Sequence, residues 1–297
     1  MIDPDKLLRW PLPPVTQAYS ERDTVLYALG LGMARSNPAA PGALRYVYEG
    51  ADGGLAVMPT LATVLATGPF WMQDPATGID WRRLLHAEQR LELHRPLPAA
   101  ATVVGVHRVD AIHDKGADKG ALMLLSRRLY ERDSGDLLAT VGSTAFLRGD
   151  GGFGGRADGA PPPHPVPADR APDHVVEHGT RPEQALIYRL SGDMNPLHAD
   201  AAVARSAGFE RPILHGLCSY GIAGAAVIGA LCGHDATRLK RLDLRFASPV
   251  FPGETLVTEI WVTGPGSAAL RMRVPARPDA KRHVVLDHGL AQFDPAG

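Results

Sequence analysis

The stretch "GDGGFGGRADGAPPPHPVPADRAP", residues 149 to 172, constrains the fold more than any other. Rich first in glycine and then in proline, with almost no apolar periodicity, it cannot build a core and reads as a linker. It divides the 297 residues nearly in half, leaving a first part over residues 1–150, a linker over 151–172 and a second part over 173–297. The two parts share a layout. The second runs from "PEQALIYRLSGD", read as helical, to "NPLHADAAVARSAGF", read as a helix opened by proline, and then to the long apolar run "RPILHGLCSYGIAGAAVIGALCG". The alternating segments "RLDLRFASPV", "ETLVTEIWVTG", "ALRMRVPAR" and "HVVLDHGLAQF" follow and read as strands. The first part repeats the order with "ERDTVLYALGLGMA", the buried segment "LAVMPTLATVLATGPFW", and the strand-like "HAEQRLELHRPLP", "ATVVGVHRVDAIHDKG", "ALMLLSRRLYERD" and "LLATVGSTAFLRG". Locally "VLYALGLGM" lies beside "LIYRLSGDM", the mark of a duplication that has drifted. The expected class is α+β, with each half an antiparallel sheet wrapped around a central helix. Such a helix needs small residues for close approach and lacks a broad polar face, as the Gly- and Ala-rich residues 216–233 do.

Composition bounds the function. The formal net charge is −1, so no global basic field attracts nucleic acid, and an anionic ligand needs a local patch. No apolar run is long enough for a membrane span. The first residues do not read as a secretion signal and "QFDPAG" is not a peroxisomal address, so the expected location is the cytoplasm. Cys218 and Cys232 lie in one apparent helix, where fourteen residues span ~21 Å, too far for a disulfide. No paired Cys/His spacing suggests zinc.

Chemistry concentrates in "YRLSGDMNPLHAD", residues 188 to 200, where Asp193, Asn195 and His198 crowd one bend. Alone, Asp193 reads as a turn or capping residue and His198 as a surface or helix histidine. Together they make an acid–base pair, because imidazole titrates near neutrality and burial can raise a carboxyl towards it. Asn195 would either orient a water or brace the loop. If Gly216 opens the apolar helix, its N–H is an unsatisfied first-turn donor that favours developing negative charge, and glycine lets a substrate approach the backbone.

With "FERPILHGLCSYG" (209–221), this stretch resembles the hydratase-2 signature of the MaoC-like, hot-dog-fold (R)-specific enoyl-CoA hydratases. The tandem layout is similar to the double hot-dog form of that family, found in the hydratase domain of peroxisomal multifunctional enzymes. The resemblance implies reversible addition of water to trans-2-enoyl-CoA, giving (3R)-3-hydroxyacyl-CoA without metal or redox cofactor. It implies Asp193 and His198 as the catalytic pair and Gly216 as the oxyanion donor. Which of the two takes the water proton and which protonates C2 stays open.

His215 is a candidate substrate contact whose bland reading is packing, and Ser219 and Tyr220 read as helix wall. Lys240, Arg241 and Arg245 form a basic cluster that either meets coenzyme A phosphates or is a solvated strand face. The first half should lack chemistry. Gly32 takes the place of Asp193, and Asn37-Pro38 has no histidine behind it, so this half would wall an acyl-chain pocket with "MPTLATVLATGPFW". The expected partners are an acyl-CoA thioester and a second copy of the chain in a homodimer, without nucleic acid or membrane. The rivals are a related dehydratase on a branched, dicarboxylic or steroid side-chain acyl-CoA, a hot-dog thioesterase, and a non-catalytic acyl-CoA-binding subunit.

Overall fold

A computed structural model describes residues 2–35, 37–39 and 42–295. Part of the segment expected to stand opposite the Asp193 loop, residues 36, 40 and 41, lies outside the described residues. In the first half the strands are β1 (Val15–Tyr19), β2 (Leu84–Leu93), β3 (Ala101–Asp114), β4 (Ala121–Glu131) and β5 (Leu137–Leu147). The second half contributes β6 (His174–Gly179), β7 (Leu239–Phe246), β8 (Thr255–Gly264), β9 (Ser267–Arg273) and β10 (Val284–Phe293). All ten form one sheet in the order β1-β3-β4-β5-β2-β7-β10-β9-β8-β6. Counted outward from the β2–β7 junction, the two halves carry corresponding strands in the same order, as a duplication requires. At the junction Glu88 faces Arg245 and Glu92 faces Arg241 in an antiparallel ladder. The halves thus share a continuous sheet.

The eight long strands coincide with the alternating segments of the sequence. The edge strands β1 and β6 do not, being short and half-polar (VTQAY and HVVEHG). The Gly/Pro-rich stretch crosses the outer face of the sheet. Gly152 and Gly154 donate their amides to Asp114, Phe153 packs into a small core beneath the first half, and His164 reaches Asp243 on β7 at 3.3 Å.

Helix α5 (Gly216–Leu231), introduced after the short helices α1 (Pro4–Leu8), α2 (Glu21–Gly30), α3 (Gln184–Tyr188) and α4 (Ala201–Ser206), is the expected central helix. Its Ile222, Val227 and Ile228 are at most 2% exposed, and each such burial is worth roughly 1.5–3 kcal/mol. Small residues are required here: a Cβ at Gly221 would sit 2.5 Å from Leu31 of the first half. Packing of α5 against both halves is therefore written into its glycines.

The first half departs from expectation. Its sheet curves over a core, but the central helix is missing, and "LAVMPTLATVLATGPFW" yields only a 3-10 turn, Pro59–Thr63. Pro59 lacks the N–H that would extend a helix backwards, and Thr60, Thr63 and Val64 are β-branched. Ala66 adopts φ +50° and Gly68 φ +71°, which ends any helix, and Pro69 follows. A buried non-helical segment must satisfy its backbone elsewhere. Arg127 on β4 donates to the carbonyls of Ala62 and Thr63, both at 2.9 Å, His107 bonds Ala66 O at 2.9 Å, and Gln17 accepts from Ala66 N. Burial lowers the Arg127 guanidinium to about 10. The proline expected to open a helix at residue 196 instead opens the 3-10 turn Pro196–His198, and α4 starts at Ala201 under an Asp200 cap.

Candidate active site

The loop from Gly192 to His198 follows from local rules. After α3 a short 3-10 turn ends at Gly192, whose φ of 123° turns the chain sharply. Asp193 Oδ1 then accepts from Asn195 N at 3.1 Å, and Asn195 Oδ1 caps the next turn by accepting from Leu197 N at 3.0 Å. Asn195 is exposed and its side chain braces the loop; of the two roles open to it, this is the one the geometry carries. The turn carries His198 into the interior, where it is 8% exposed, while Asp193 stays partly open.

Asp193 Oδ2 faces His198 Nε2 at 4.0 Å. That is too long for a direct hydrogen bond and suits one small oxygen species placed between them. His198 Nδ1 lies 2.9 Å from Ile213 O, and since a carbonyl only accepts, Nδ1 carries the proton and Nε2 presents its lone pair to Asp193. Burial lowers the His198 pKa below the usual histidine value, against smaller upward pulls from Ile213 O and Asp193. The ring is therefore neutral at pH 7.

His215 caps α5 and stacks on His198, with ring centroids 3.7 Å apart and planes at 26°. Its Nε2–H donates to the backbone carbonyl of Asp193 at 3.1 Å, and its Nδ1 is buried without a partner. Burial, with His198 beside it, pushes this imidazole down to about 4. His215 thus locks the loop onto the helix start and keeps its neighbour's ring in place. One ligand-capable atom each from Asp193, His198 and His215 lies within 4.8 Å of the others, and each histidine holds a carbonyl through its second nitrogen. This donor set could take a divalent cation, although no Cys/His spacing in the sequence signalled it.

Gly216, the residue after His215, is the first of α5, so its amide has no acceptor inside the helix, and it is exposed. A Cβ there would stand 2.9 Å from the Phe246 ring, so glycine keeps the helix tip bare. The Phe246 ring packs against His86 of β2, with centroids 4.8 Å apart. His86 was not a candidate from the sequence. A bulge at Ala87 interrupts the β2–β5 register just after it, a device that re-aims side chains beside sites. The solvent-accessible His86 therefore brings the first half to the mouth of the site.

The remaining candidates lie elsewhere. Arg245 alternates with the buried Leu244 and points to the outer face, where it pairs with Glu88 at 2.7 Å. Arg241 pairs with Asp243 at 2.8 Å. Lys240 lies beyond the C-terminal end of α5, bonded to Asp294 at 3.0 Å and to Thr237 O at 2.9 Å. The basic cluster is thus a set of ion pairs away from the bare helix tip, which corrects its assignment to substrate. Tyr220 donates to Leu242 O at 2.7 Å and Ser219 is buried, both as helix wall. Gly32 has φ +84°, and a Cβ there would lie 2.8 Å from His178 Nε2, so the position opposite Asp193 in the repeat is closed to a side chain.

Residues 17–149 match the MFE-2 hydratase 2 N-terminal domain, and residues 165–277 match the MaoC like domain. The chain is 44% identical over 282 residues to 3-hydroxyacyl-thioester dehydratase Y of Mycobacterium tuberculosis, covering 94% of each protein. The chain belongs to the MaoC-like hydratase 2 family. It is also 40% identical to the peroxisomal enoyl-CoA hydratase 2 of Arabidopsis thaliana, over 88% of this chain and 87% of the relative. Among solved structures, a MaoC-like dehydratase from Phytophthora capsici superposes with a TM-score of 0.85 at 35% identity, covering 99% of each chain. A Mycobacterium tuberculosis protein described as a double hot-dog fold is similar at a TM-score of 0.58 and 16% identity, over 94% of this chain and 92% of that one, which speaks for the fold alone.

Proposed function

We propose that the chain is an (R)-specific enoyl-CoA hydratase, reversibly adding water across the double bond of a trans-2-enoyl-CoA. The observation that carries this is the paired Asp193 carboxylate and neutral His198 Nε2, 4.0 Å apart, next to the bare first amide of α5. A water between the pair gives a proton to one of them as its oxygen bonds C3. Electrons of the double bond move towards the thioester oxygen, whose charge the Gly216 N–H meets. A proton from the pair then reaches C2, so the pair ends as it began and one water has been added. The two groups titrate together, and the roles belong to the pair.

The first half would receive the acyl chain. Its 3-10 turn runs beside α5, where a Cβ at Gly224 would meet Thr60 at 3.0 Å, and Val64 O comes within 3.5 Å of the Cβ position at Gly192 in the catalytic loop. At the far end of α5 a cavity of about 250 Å³ is lined by Val57, Pro59, Leu93, Leu97 and Leu239, with Arg45, Arg95, Asp235 and Lys240 also in its wall. The absent helix leaves this side of α5 faced by a single turn, room that favours long or bulky acyl groups. Two buried, free cysteines suit a cytoplasmic location, and a homodimer is part of the same reading, to be checked by light scattering.

The deciding experiment follows crotonyl-CoA by loss of enone absorbance against release of free thiol, with chiral analysis of the product. Enone loss without thiol, giving the (3R)-alcohol, supports the hydratase. Thiol release would make it a thioesterase, and inertness across acyl lengths a binding subunit.

A further inference from the structure

An imidazole that works on water poses a positioning problem, because the nitrogen that meets the water cannot also be tied down. His198 is held at one edge alone, by Nδ1–H on Ile213 O at 2.9 Å, and its Nε2 faces Asp193. One hydrogen bond fixes one point of a ring and leaves its tilt free. The faces of the ring must supply the rest. His215 stacks on one face of His198 and is itself held at one edge, by Nε2–H on Asp193 O. The same question therefore passes to the next ring in line.

That ring is Tyr188, the last residue of α3, with its centroid 5.0 Å from the His215 ring and the planes at 49°. Tyr27 of α2 follows, 5.8 Å from Tyr188 at 52°. Both pairs lie at separations where tilted aromatic rings attract. The four rings make a column from the first half to the acid–base pair, and none is more than 8% exposed. Its base is tightly built. A Cβ at Gly30 of α2 would meet the Tyr188 Cα at 3.2 Å, and the Gly30 carbonyl accepts from Gln184 Nε2 at 3.1 Å and from Cys218 Sγ at 3.4 Å. Helices α2, α3 and α5 are thereby clamped together. Tyr27 lies over α5, its hydroxyl 3.1 Å from where a Cβ at Gly221 would stand. The hydroxyls of Tyr27 and Tyr188 are buried without a partner among the described residues, so the contacts run ring to ring.

We infer that Tyr188 and Tyr27 are positioning residues for the proposed hydration, holding His198 at its aim on Asp193 through the face of His215. The inference rests on the acid–base reading above. Tyr188 bears on both partners, since it stands five residues before Asp193 on the segment that becomes the loop. Tyr27 gives the first half, which has no side chain in the acid–base pair, a part in the chemistry: α2 sets the tilt of a ring at the other end of the column. Close-packed rings pass such a constraint on because the core holds little free volume to absorb it.

The test compares Tyr188→Leu, Tyr188→Phe and Tyr27→Leu with the wild type, each as the full chain and well below its melting temperature. Tyr188→Leu should lower kcat for crotonyl-CoA at least ~10-fold, part of what misplacement by an ångström costs, with KM nearly unchanged. Tyr27→Leu should lose less, and Tyr188→Phe, which keeps the ring, should match the wild type. In His215→Asn, where the column is already cut, Tyr188→Leu should cost at most about twofold more. A full second loss in that background, a loss carried by KM, or a Phe variant as slow as the Leu variant overturns the inference. Where Tyr188→Leu fails to fold, Tyr27→Leu with and without His215→Asn decides by the same rule. Crystal structures of the wild type and Tyr27→Leu add a readout without turnover. The His198 tilt and its 4.0 Å separation from Asp193 should differ between the two, and an unmoved ring overturns the column. A wild type inert towards every enoyl thioester overturns the hydratase, while a His198 that tilts in the variant still supports the column.

Discussion

Both halves arrange five antiparallel strands in the same order, yet only the second threads a sixteen-residue helix through its core. Where that half has Gly216 at a bare helix tip and Asp193 on an open bend, the first has a 3-10 turn and a Gly32 position with no space for a side chain. The difference teaches a division of labour. A hot-dog helix fills its sheet and so offers its N-terminus to a thioester but little volume to an acyl chain. On the proposed reading, losing the helix from one half removes one bare helix tip and leaves room beside α5 for an acyl chain.

The largest expected effect comes from breaking the asymmetry in the catalytic loop. Asp193→Asn or His198→Ala should each lower kcat at least ~100-fold, the usual scale for acid–base help, read by crotonyl-CoA hydration. Adding Gly32→Asp to Asp193→Asn should restore nothing, because the new side chain meets His178 from a φ of +84°. Recovered turnover in that double variant would mean that the first half keeps a latent site. Next comes the helix tip. A methyl at Gly216 would lie 2.9 Å from the Phe246 ring, so Gly216→Ala should move the amide or the ring and cost up to ~100-fold in kcat, as misplacement of about an ångström does. Phe246→Leu in the same chain should recover part of that loss, whereas an amide with no part in catalysis would leave kcat of Gly216→Ala unchanged.

A smaller effect tests the acyl side. Val57 lines the cavity beyond the 3-10 turn, and Val57→Trp should fill much of its roughly 250 Å³. The expected outcome is a several-fold drop in kcat/KM for long enoyl chains with crotonyl-CoA spared, since ~0.8 kcal/mol rides on each methylene left unburied. Equal losses at every chain length would place the acyl chain elsewhere.

Much of this architecture was legible in the sequence, for reasons that differ between elements. The long strands alternate, so their inward residues announce them, and α5 declares itself by a Gly/Ala-rich apolar run without a polar face. The candidate loop is legible because Asp193, Asn195, Pro196 and His198 are neighbours in the chain. The edge strands were not, since VTQAY and HVVEHG are short and pack on one side only. The missing first-half helix was masked by hydrophobicity, which reports burial and not conformation; Pro59 with Thr60, Thr63 and Val64 was the available signal. His86 was hidden for another reason. It joins the site through a bulge, which only three-dimensional pairing creates, while Lys240 and Arg245 looked free because their acidic partners Asp294 and Glu88 are distant in sequence.

The subtlest comparison is between the two stacked imidazoles, and pH separates them. Burial holds both below the ordinary histidine pKa of 6.5, and His215 is pushed to about 4. In the unfolded chain both return to the ordinary value, so on acidification the unfolded state takes up protons first. The stability these rings contribute is therefore fully present above pH 6.5 and drains away as pH falls towards 4. The melting temperature should fall across that window, and His215→Asn, which keeps a donor for Asp193 O but cannot titrate, should flatten the decline. The acid limb of kcat follows His198 instead, because a protonated Nε2 cannot accept from water. That limb should centre below pH 6.5 and persist in His215→Asn, because His215 stays uncharged until the pH nears 4 and so puts no charge beside His198 over that range. A limb above pH 6.5 in the wild type would mean that Asp193 dominates the histidine's surroundings in solution, and that the water between them meets an ion pair.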